Sequence, residues 1–319
     1  MLGLQKFSPA GRSSFRARET LVAAFCQYFE RGSHLVTNAP NLALVASRYR
    51  HNMCHKLSIE DSARTEIGQI AASISSTIPA AFWMLWHVLS DPLVLAECRR
   101  EIEQSACFLP RQQPDLDNGE GLGGRRGIEF DRLTKSEFCP ILVSTWHEVL
   151  RYNHTGIAAR MVMEETMLGR YLLKKGSTVV IANPVIHSDT SAWGPSANEF
   201  QHQRFVRSQK INRDPTLDLR DTSSEKMTTT MTKSSVKNLE KSTACRIFGG
   251  GSTLCPGRYL ASQEVLSLVA LVVLNFDVFP VHGRWVLPGK NVSLTTALPT
   301  PYPLKPSDLD SEILRIQLA

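Results

Sequence analysis

Apolar residues in the first third of the chain recur at intervals of three and four. Leu21, Ala24, Phe25 and Phe29 form such a stripe within residues 16–31, ending near Gly32, and predict an amphipathic helix. A second helix is predicted from about Leu42 to His55. Ser58 followed by Asp61 resembles a capping box with Asp in place of Glu. It opens a segment in which Ile67, Ile70, Ile74, Ile78, Phe82, Leu85 and Leu89 keep helical spacing. One helix of about 30 residues is implied, long enough to cross a whole domain. Pro79 lies inside it. Proline has no N–H for the carbonyl of Ser75 and its ring crowds that turn, so an opened turn is expected at Ser75–Ser76. Asp91-Pro92 then joins an N-cap to an N1 proline and starts a helix reaching about Gln104.

Beyond it, Pro110 to Gly127 is rich in Gln, Asp and Gly and reads as a solvated loop. A helix is predicted from Thr134 through Ile141, Leu142, Thr145, Val149 and Leu150 to Arg151. Arg160–Met163 and Tyr171–Ile181 read as short strands, with a turn at Lys175-Gly176. Residues 207–246 carry nine Lys/Arg and five Asp/Glu among many Ser and Thr, the composition of a mobile insertion. From about Pro256 to Asn275 a last helix is apolar nearly all round and is expected to be buried. The tail, Leu287 to Pro306, alternates and is Pro-rich, as strand and loop would be. The fold class is therefore mainly α with small β-sheets, in a single domain over 1–319.

Composition narrows the function classes. Apolar residues make up 42% of the 319 and charged residues 21%, so a sizeable core can form, and 36 Gly or Pro are too few for a collagen-like or low-complexity chain. The net charge of +6 is modest for this length. It suits an anionic membrane surface or an acidic redox partner and is no nucleic-acid footprint. Seven cysteines, odd in number and irregularly spaced, form no disulfide framework and point to a reducing, intracellular compartment. Met1 to Phe15 has no apolar core of a signal peptide. The longest apolar run, Val265 to Leu274 broken by Ser267, falls short of the roughly 20 residues of a membrane span. Asn153-His154-Thr155 and Asn291-Val292-Ser293 match glycosylation acceptors and are read as chance.

The segment with the clearest chemistry is Phe248-Gly249-Gly250-Gly251-Ser252-Thr253-Leu254-Cys255-Pro256-Gly257-Arg258. Three consecutive glycines let backbone approach something flat or large. Cys255 sits just before a helix with proline at its start, where unpaired N–H groups favour an anionic sulfur, a ligand for a soft or borderline metal. A phosphate loop would need Gly-Lys-Ser/Thr after the glycines, and that lysine is missing. A zinc site would need further ligands at short spacing, and Cys245 stands alone. A lone cysteine after a glycine-rich turn is more often structural than a ligand, so context must decide.

That context is a resemblance. Phe248, Gly251, Cys255 and Gly257 match the haem-binding signature Phe-x-x-Gly-x-x-x-Cys-x-Gly of the cytochrome P450 family. Glu148 and Arg151 match its Glu-x-x-Arg pair, one helical turn apart. Phe200 to Phe205 match its Phe-x-Pro-x-Arg-Phe segment around Arg204, with His202 in place of proline; His187 and Trp193-Gly194 fit the lead-in. The match runs from about Thr65 to the C-terminus, and the family's N-terminal part, with its membrane anchor, has no counterpart. The resemblance implies the cytochrome P450 fold and haem b with Cys255 as axial iron ligand. It further implies Arg160 on a haem propionate, Phe248 packed on the thiolate side, Gly251 and Gly257 in the loop, and Glu148, Arg151 and Arg204 as a structural core. It puts Ser76 at the oxygen-binding alcohol and Ser75 where most members have an acid. The run Ser76 to Trp83 is similar to the sterol 7α-hydroxylase and prostacyclin synthase branch, so Ser76, Thr77 and water would deliver protons. Thr253 stands where many members carry a basic residue, shifting haem anchoring toward Arg160.

The implied activity is insertion of one oxygen atom from O2 into a lipophilic, terpenoid- or steroid-like substrate, with Ile70, Ile74, Ile78 and Thr155 to Ala159 lining its pocket. Electrons would come from NADPH through a reductase docked on the cysteine side. The family expectation for location is the endoplasmic reticulum surface, or the cytoplasm without the anchor. The alternatives are an isomerase or dehydratase of the same family that needs no reductase, and a truncated fragment with no catalysis.

Overall fold

The computed structural model describes residues 9–35, 43–108, 126–206, 243–280, 283–291, 298–299 and 316–318. The chain divides into two compact units, Met1–Ile78 and Pro79–Ala319. Residues 207–242 and most of the 110–127 stretch fall outside the described residues.

In the first unit, α1 (Pro9–Glu30) begins earlier than its apolar stripe and ends where Gly32 takes the left-handed conformation that glycine tolerates best. A 3-10 turn (Ser33–Leu35) and α2 (Ala43–Cys54) follow. Val22, Phe29 and Ala63 form a small core with Phe25, Tyr28, Tyr49 and Ile67 packed on it. Phe29 and Tyr49 stack with ring centroids 4.6 Å apart. The capping box is real: Ser58 Oγ accepts the Asp61 N–H at 3.0 Å and donates to the Asp61 carboxylate at 2.8 Å. It starts α3 (Ile59–Ser90), a continuous helix of 32 residues that contains Pro79. No turn opens at Ser75–Ser76; Ser75 Oγ bonds back to the carbonyl of Ala72 at 3.3 Å. The middle of the apolar stripe of α3 is not the core side. Ile70, Ile74 and Ile78 are exposed, whereas Ala80, Trp83, Met84, His87 and Val88 are buried. Periodicity identified the helix but could not choose between two apolar faces.

The second unit is built on four helical segments: the end of α3, α4 (Pro92–Ser105), α6 (Pro140–Tyr152) and α9 (Arg258–Asn275). Trp83, Met84, Val94, Ile102, Leu142, Trp146, Val149, Leu266 and Val269 form their shared core, all nearly inaccessible. Asp91 caps α4 by accepting the Leu93 N–H at 2.9 Å. β1 (Ala106–Phe108) and β2 (Arg126–Ile128) pair after it, and a one-turn α5 (Phe130–Leu133) follows. The helix expected from Thr134 starts only at Pro140. Helical backbone is disfavoured for the residue before a proline, and Cys139 sits at φ −129°, ψ 64°. Cys139 gives no side-chain cap. The carboxylate of Glu101 on α4 takes over, accepting the N–H groups of Ile141 and Leu142, each at 2.9 Å. Burial raises the Glu101 pKa, and these two bonds oppose that shift.

The strands make two-stranded antiparallel ladders. β3 (Ile157–Met161) pairs with β6 (Thr178–Ala182), in the register Ile157 opposite Ala182 and Met161 opposite Thr178. β4 (Thr166–Leu168) pairs with β5 (Tyr171–Leu173) across Gly169, at φ +57°. The turn at Lys175-Gly176 thus links β5 to β6 without making them partners. α7 (Asn183–His187) and α8 (Thr190–Trp193) lead to the Arg204 segment. α9 is buried on one side only: Val265, Val269 and Val273 face the core, while Leu260, Leu268 and Leu271 are exposed. The expectation of all-round burial is corrected. β7 (Phe276–Val278) closes with a C-terminal strand, Ile316–Leu318, which the sequence pattern did not indicate. In the tail, Lys290–Asn291 pairs with Leu298–Pro299. No single helix among the described residues is long and apolar enough to cross a membrane.

Candidate functional site

Two polar constructions dominate the second unit. The first centres on Glu148, fully buried on α6, with Arg151 one turn on and 2% exposed. Arg151 donates to both carboxylate oxygens, Nε to Oε2 at 2.7 Å and Nη2 to Oε1 at 2.8 Å. Arg204 reaches the same carboxylate through Nε at 3.0 and 3.1 Å, and the Gln201 N–H adds a bond at 2.9 Å. Two guanidiniums on one carboxylate leave one positive charge in excess. Main-chain carbonyls absorb it: Arg151 Nη1 donates to His187 and Ala197, and Arg204 Nη2 to Ser196 and Glu199. Buried charges need such saturation to be tolerated. The cluster thereby ties residues 187–204 onto α6. Phe205 joins it through its N–H, bonded to Ser144 Oγ at 2.9 Å.

The segment is clasped from a second side. His202, in the place of the family's proline, has Nε2 2.7 Å from Glu97 Oε2 on α4, and Gln203 Nε2 donates to the same carboxylate at 2.9 Å. Burial would raise the Glu97 pKa, but hydrogen bonds from Gln203 and His202, with the charges of His202 and Arg100, outweigh it and hold it low.

The second construction is the cysteine loop. Its ends are closed by the Cys255 N–H donating to the Phe248 carbonyl at 2.9 Å. Gly249 and Gly251 have φ of +79° and +64°, backbone that other residues adopt only under strain. A Cβ at Gly251 would meet open space, and one at Gly257 would lie 3.8 Å from Cys255 Sγ. Cys255 is half-buried, free, and just outside α9, which begins three residues later than the sulfur. Arg258 Nη1 donates to the Cys255 carbonyl at 2.9 Å. From β3, Arg160 Nη2 hydrogen-bonds Thr253 Oγ1, so the guanidinium lies against the loop. Phe248 is partly buried against the main core. Ser76 and Thr77 lie on α3 in the first unit. Among the described residues no three His, Cys, Asp or Glu side chains converge on a bare metal ion.

Sequence reasoning missed the support behind this loop. Thr243 to Arg246 lead into it, with Ala244 and Cys245 packed on Trp193, Ala197 and Phe205. Arg246 Nε donates to Asn183 Oδ1 at 3.0 Å, and its N–H to His187 Nε2 at 3.1 Å. Asn183 Nδ2 lies 3.0 Å from His154 Nε2. Burial, helped by the charge of Arg246, pushes the His154 pKa down to about 4. Burial and then the charges of His154, Arg151 and Arg246 push His187 down to about 3. Both rings are neutral near pH 7. The only signal was a lone arginine in the apolar run Cys245 to Phe248.

The family model for cytochrome P450 matches residues 37–305. The chain is 31% identical over 292 residues to the cytochrome P450 monooxygenase nodJ of Hypoxylon pulicicidum, covering 91% of this chain and 50% of that protein. A cytochrome P450 monooxygenase of Gibberella zeae is 30% identical over 69% of this chain and 36% of its own length. A 25-hydroxycholesterol 7-alpha-hydroxylase of Rattus norvegicus is 30% identical over 66% of this chain and 45% of its own. The helical core with small antiparallel sheets is consistent with the cytochrome P450 fold. The chain belongs to the cytochrome P450 family, and it spans half or less of the length of these relatives.

The loop fits the group that this family carries. One free sulfur on a short loop, flanked by glycines whose missing side chains leave space beside it, suits a single axial ligand on a broad planar group. The Arg160 guanidinium beside the loop suits the carboxylates at the group's edge.

Proposed function

We propose that this chain forms the haem-binding part of a monooxygenase acting on a lipophilic substrate. When bound through a thiolate, haem supplies the cleavage of O2, one atom entering a C–H or C=C bond and the other leaving as water with two electrons and two protons. Cys255 would hold the haem iron through its sulfur, Arg160 would contact a propionate, and Phe248 would be the aromatic neighbour on the sulfur side. Gly251 and Gly257 would leave the loop room to meet the ring. Glu148, Arg151 and Arg204 would hold the segment beneath it rigid. Ser76 and Thr77, with water, would serve as the proton-donating hydroxyls in a helix without a carboxylate at position 75.

Electrons would come from NADPH through a reductase, whose expected meeting place with the enzyme is the endoplasmic reticulum surface. The substrate would be terpenoid or steroid-like, in a biosynthetic pathway; the relative named as a 25-hydroxycholesterol 7-alpha-hydroxylase supports the steroid-like form. The observation that carries the reading is the glycine-flanked free thiol of Cys255 with Arg160 held against its loop. Its test is the reduced-plus-CO against reduced difference spectrum of the 319-residue chain. A strongly red-shifted Soret band, absent in Cys255→Ala, is expected. Haem bound without that band in the parent chain would overturn it.

A further inference from the structure

We infer that Arg246 is a positioning residue for the cysteine loop: anchored by Asn183 and His187, its guanidinium sets the backbone path at Gly250 and so where Cys255 presents its sulfur. The geometry is specific. A Cβ placed on Gly250 would lie 3.0 Å from Arg246 Nη1, 3.4 Å from Cζ and 3.5 Å from Nη2, so the flat cation rests directly against that α-carbon. Gly250 itself has φ 177°, extended backbone open to any residue. The three atoms nearest to a side chain placed there all belong to that guanidinium, which would have to give by a few tenths of an ångström.

The cation cannot easily retreat. Nε is fixed by Asn183 Oδ1, and the main chain of Arg246 is tied twice, its N–H to His187 Nε2 and its carbonyl to the Gly249 N–H at 3.0 Å. Accepting that bond puts the His187 proton on Nδ1, an atom with no partner among the described residues. His187 is in turn held from behind, since its carbonyl accepts Arg151 Nη1 at 2.6 Å. A chain of contacts therefore runs from the buried Glu148 cluster through α7 and Arg246 to Gly250. From there Thr253 Oγ1 bonds the Gly250 carbonyl at 3.3 Å, and the Cys255 N–H closes the loop on Phe248. The functional consequence rests on the haem-thiolate reading; the positioning does not.

The test measures the alkylation rate of each cysteine in the full haem-free chain by mass spectrometry. Cys54 is exposed and reports the reagent; Cys98 and Cys139 are buried and report unfolding. Arg246→Ala should raise the Cys255 rate about threefold or more, the scale of one lost hydrogen bond, with Cys98 and Cys139 still protected. Arg246→Lys should move it the same way, since an ammonium has neither the flat face nor the Nε bond. Gly250→Ala should disturb Cys255 in the parent background and add nothing in Arg246→Ala. An unchanged Cys255 rate, a change seen only when Cys98 and Cys139 also open, or fully additive effects at 246 and 250 would overturn the inference. A second arm reads the CO difference spectrum of haem-loaded chain, where Arg246→Ala should lose a large part of the red-shifted band. Failure of the parent to show that band overturns the proposed function alone, and the alkylation rates still decide the role of Arg246.

Discussion

The Glu148 cluster and the cysteine loop lie in the same unit and treat polar groups in opposite ways. Around Glu148, the Nε, Nη1 and Nη2 groups of Arg151 and Arg204 all meet protein acceptors, and the carboxylate has no access to solvent. Around Cys255, the sulfur is half-buried, Gly251 leaves open space, and Arg160 grips the loop from an exposed strand. A polar assembly that satisfies itself is scaffold. One that leaves a sulfur and a cation only partly engaged suits a group from outside, as the proposed haem would be. Arg246 connects the two, which explains how a glycine-rich loop can hold a defined path.

The widest consequence of this contrast is in stability. Glu148→Ala would leave two buried guanidiniums without their carboxylate, and the chain should lose about 3–5 kcal/mol in denaturant unfolding, where breaking a buried ion pair ordinarily falls. A loss below about 1 kcal/mol would erase the distinction, since an exposed pair costs that little. Cys255→Ala should do the reverse: haem-free stability within about 1 kcal/mol of the parent, as for most partly exposed sites, with complete loss of the red-shifted CO band.

Arg160→Gln should leave unfolding nearly unchanged and speed haem loss roughly tenfold, the value of one hydrogen bond to a charged group. Haem transfer to apomyoglobin would measure it. The smallest effect is expected at the Glu97 clasp. Its carboxyl is held below the ordinary value of 4.5, so the clasp contributes above that pH and is lost as the pH falls through the lower folded value. Glu97→Gln should cost less than about 1 kcal/mol at pH 7, as other partly exposed pairs do. The difference from the parent should shrink in acid; a difference that grew would contradict the direction assigned to Glu97.

Local chemistry made much of this readable in the chain. Ser58 and Asp61, Asp91 and Pro92, and the Cys255 signature all act within a few residues of themselves; the first two pairs start helices where predicted, while the helix after Cys255 begins at Arg258, with Pro256 outside it. Elements needing a distant partner were read less well. The α6 start moved from Thr134 to Pro140 because Cys139 precedes proline, and its cap comes from Glu101, a helix away. Strand partners were misread because β5 and β6 are neighbours in sequence but not in hydrogen bonding.

By itself the sequence determined the mainly helical class, the family, and the residue types that could ligate iron, because these depend on short-range periodicity and on a motif of fixed spacing. The tertiary structure alone decided which face of α3 and of α9 is buried, that a carboxylate on α4 caps α6, and that Arg246 rests on Gly250. Each of those depends on which surfaces meet after the chain has closed. Burial and hydrogen-bond satisfaction are properties of that meeting, and no local pattern encodes them.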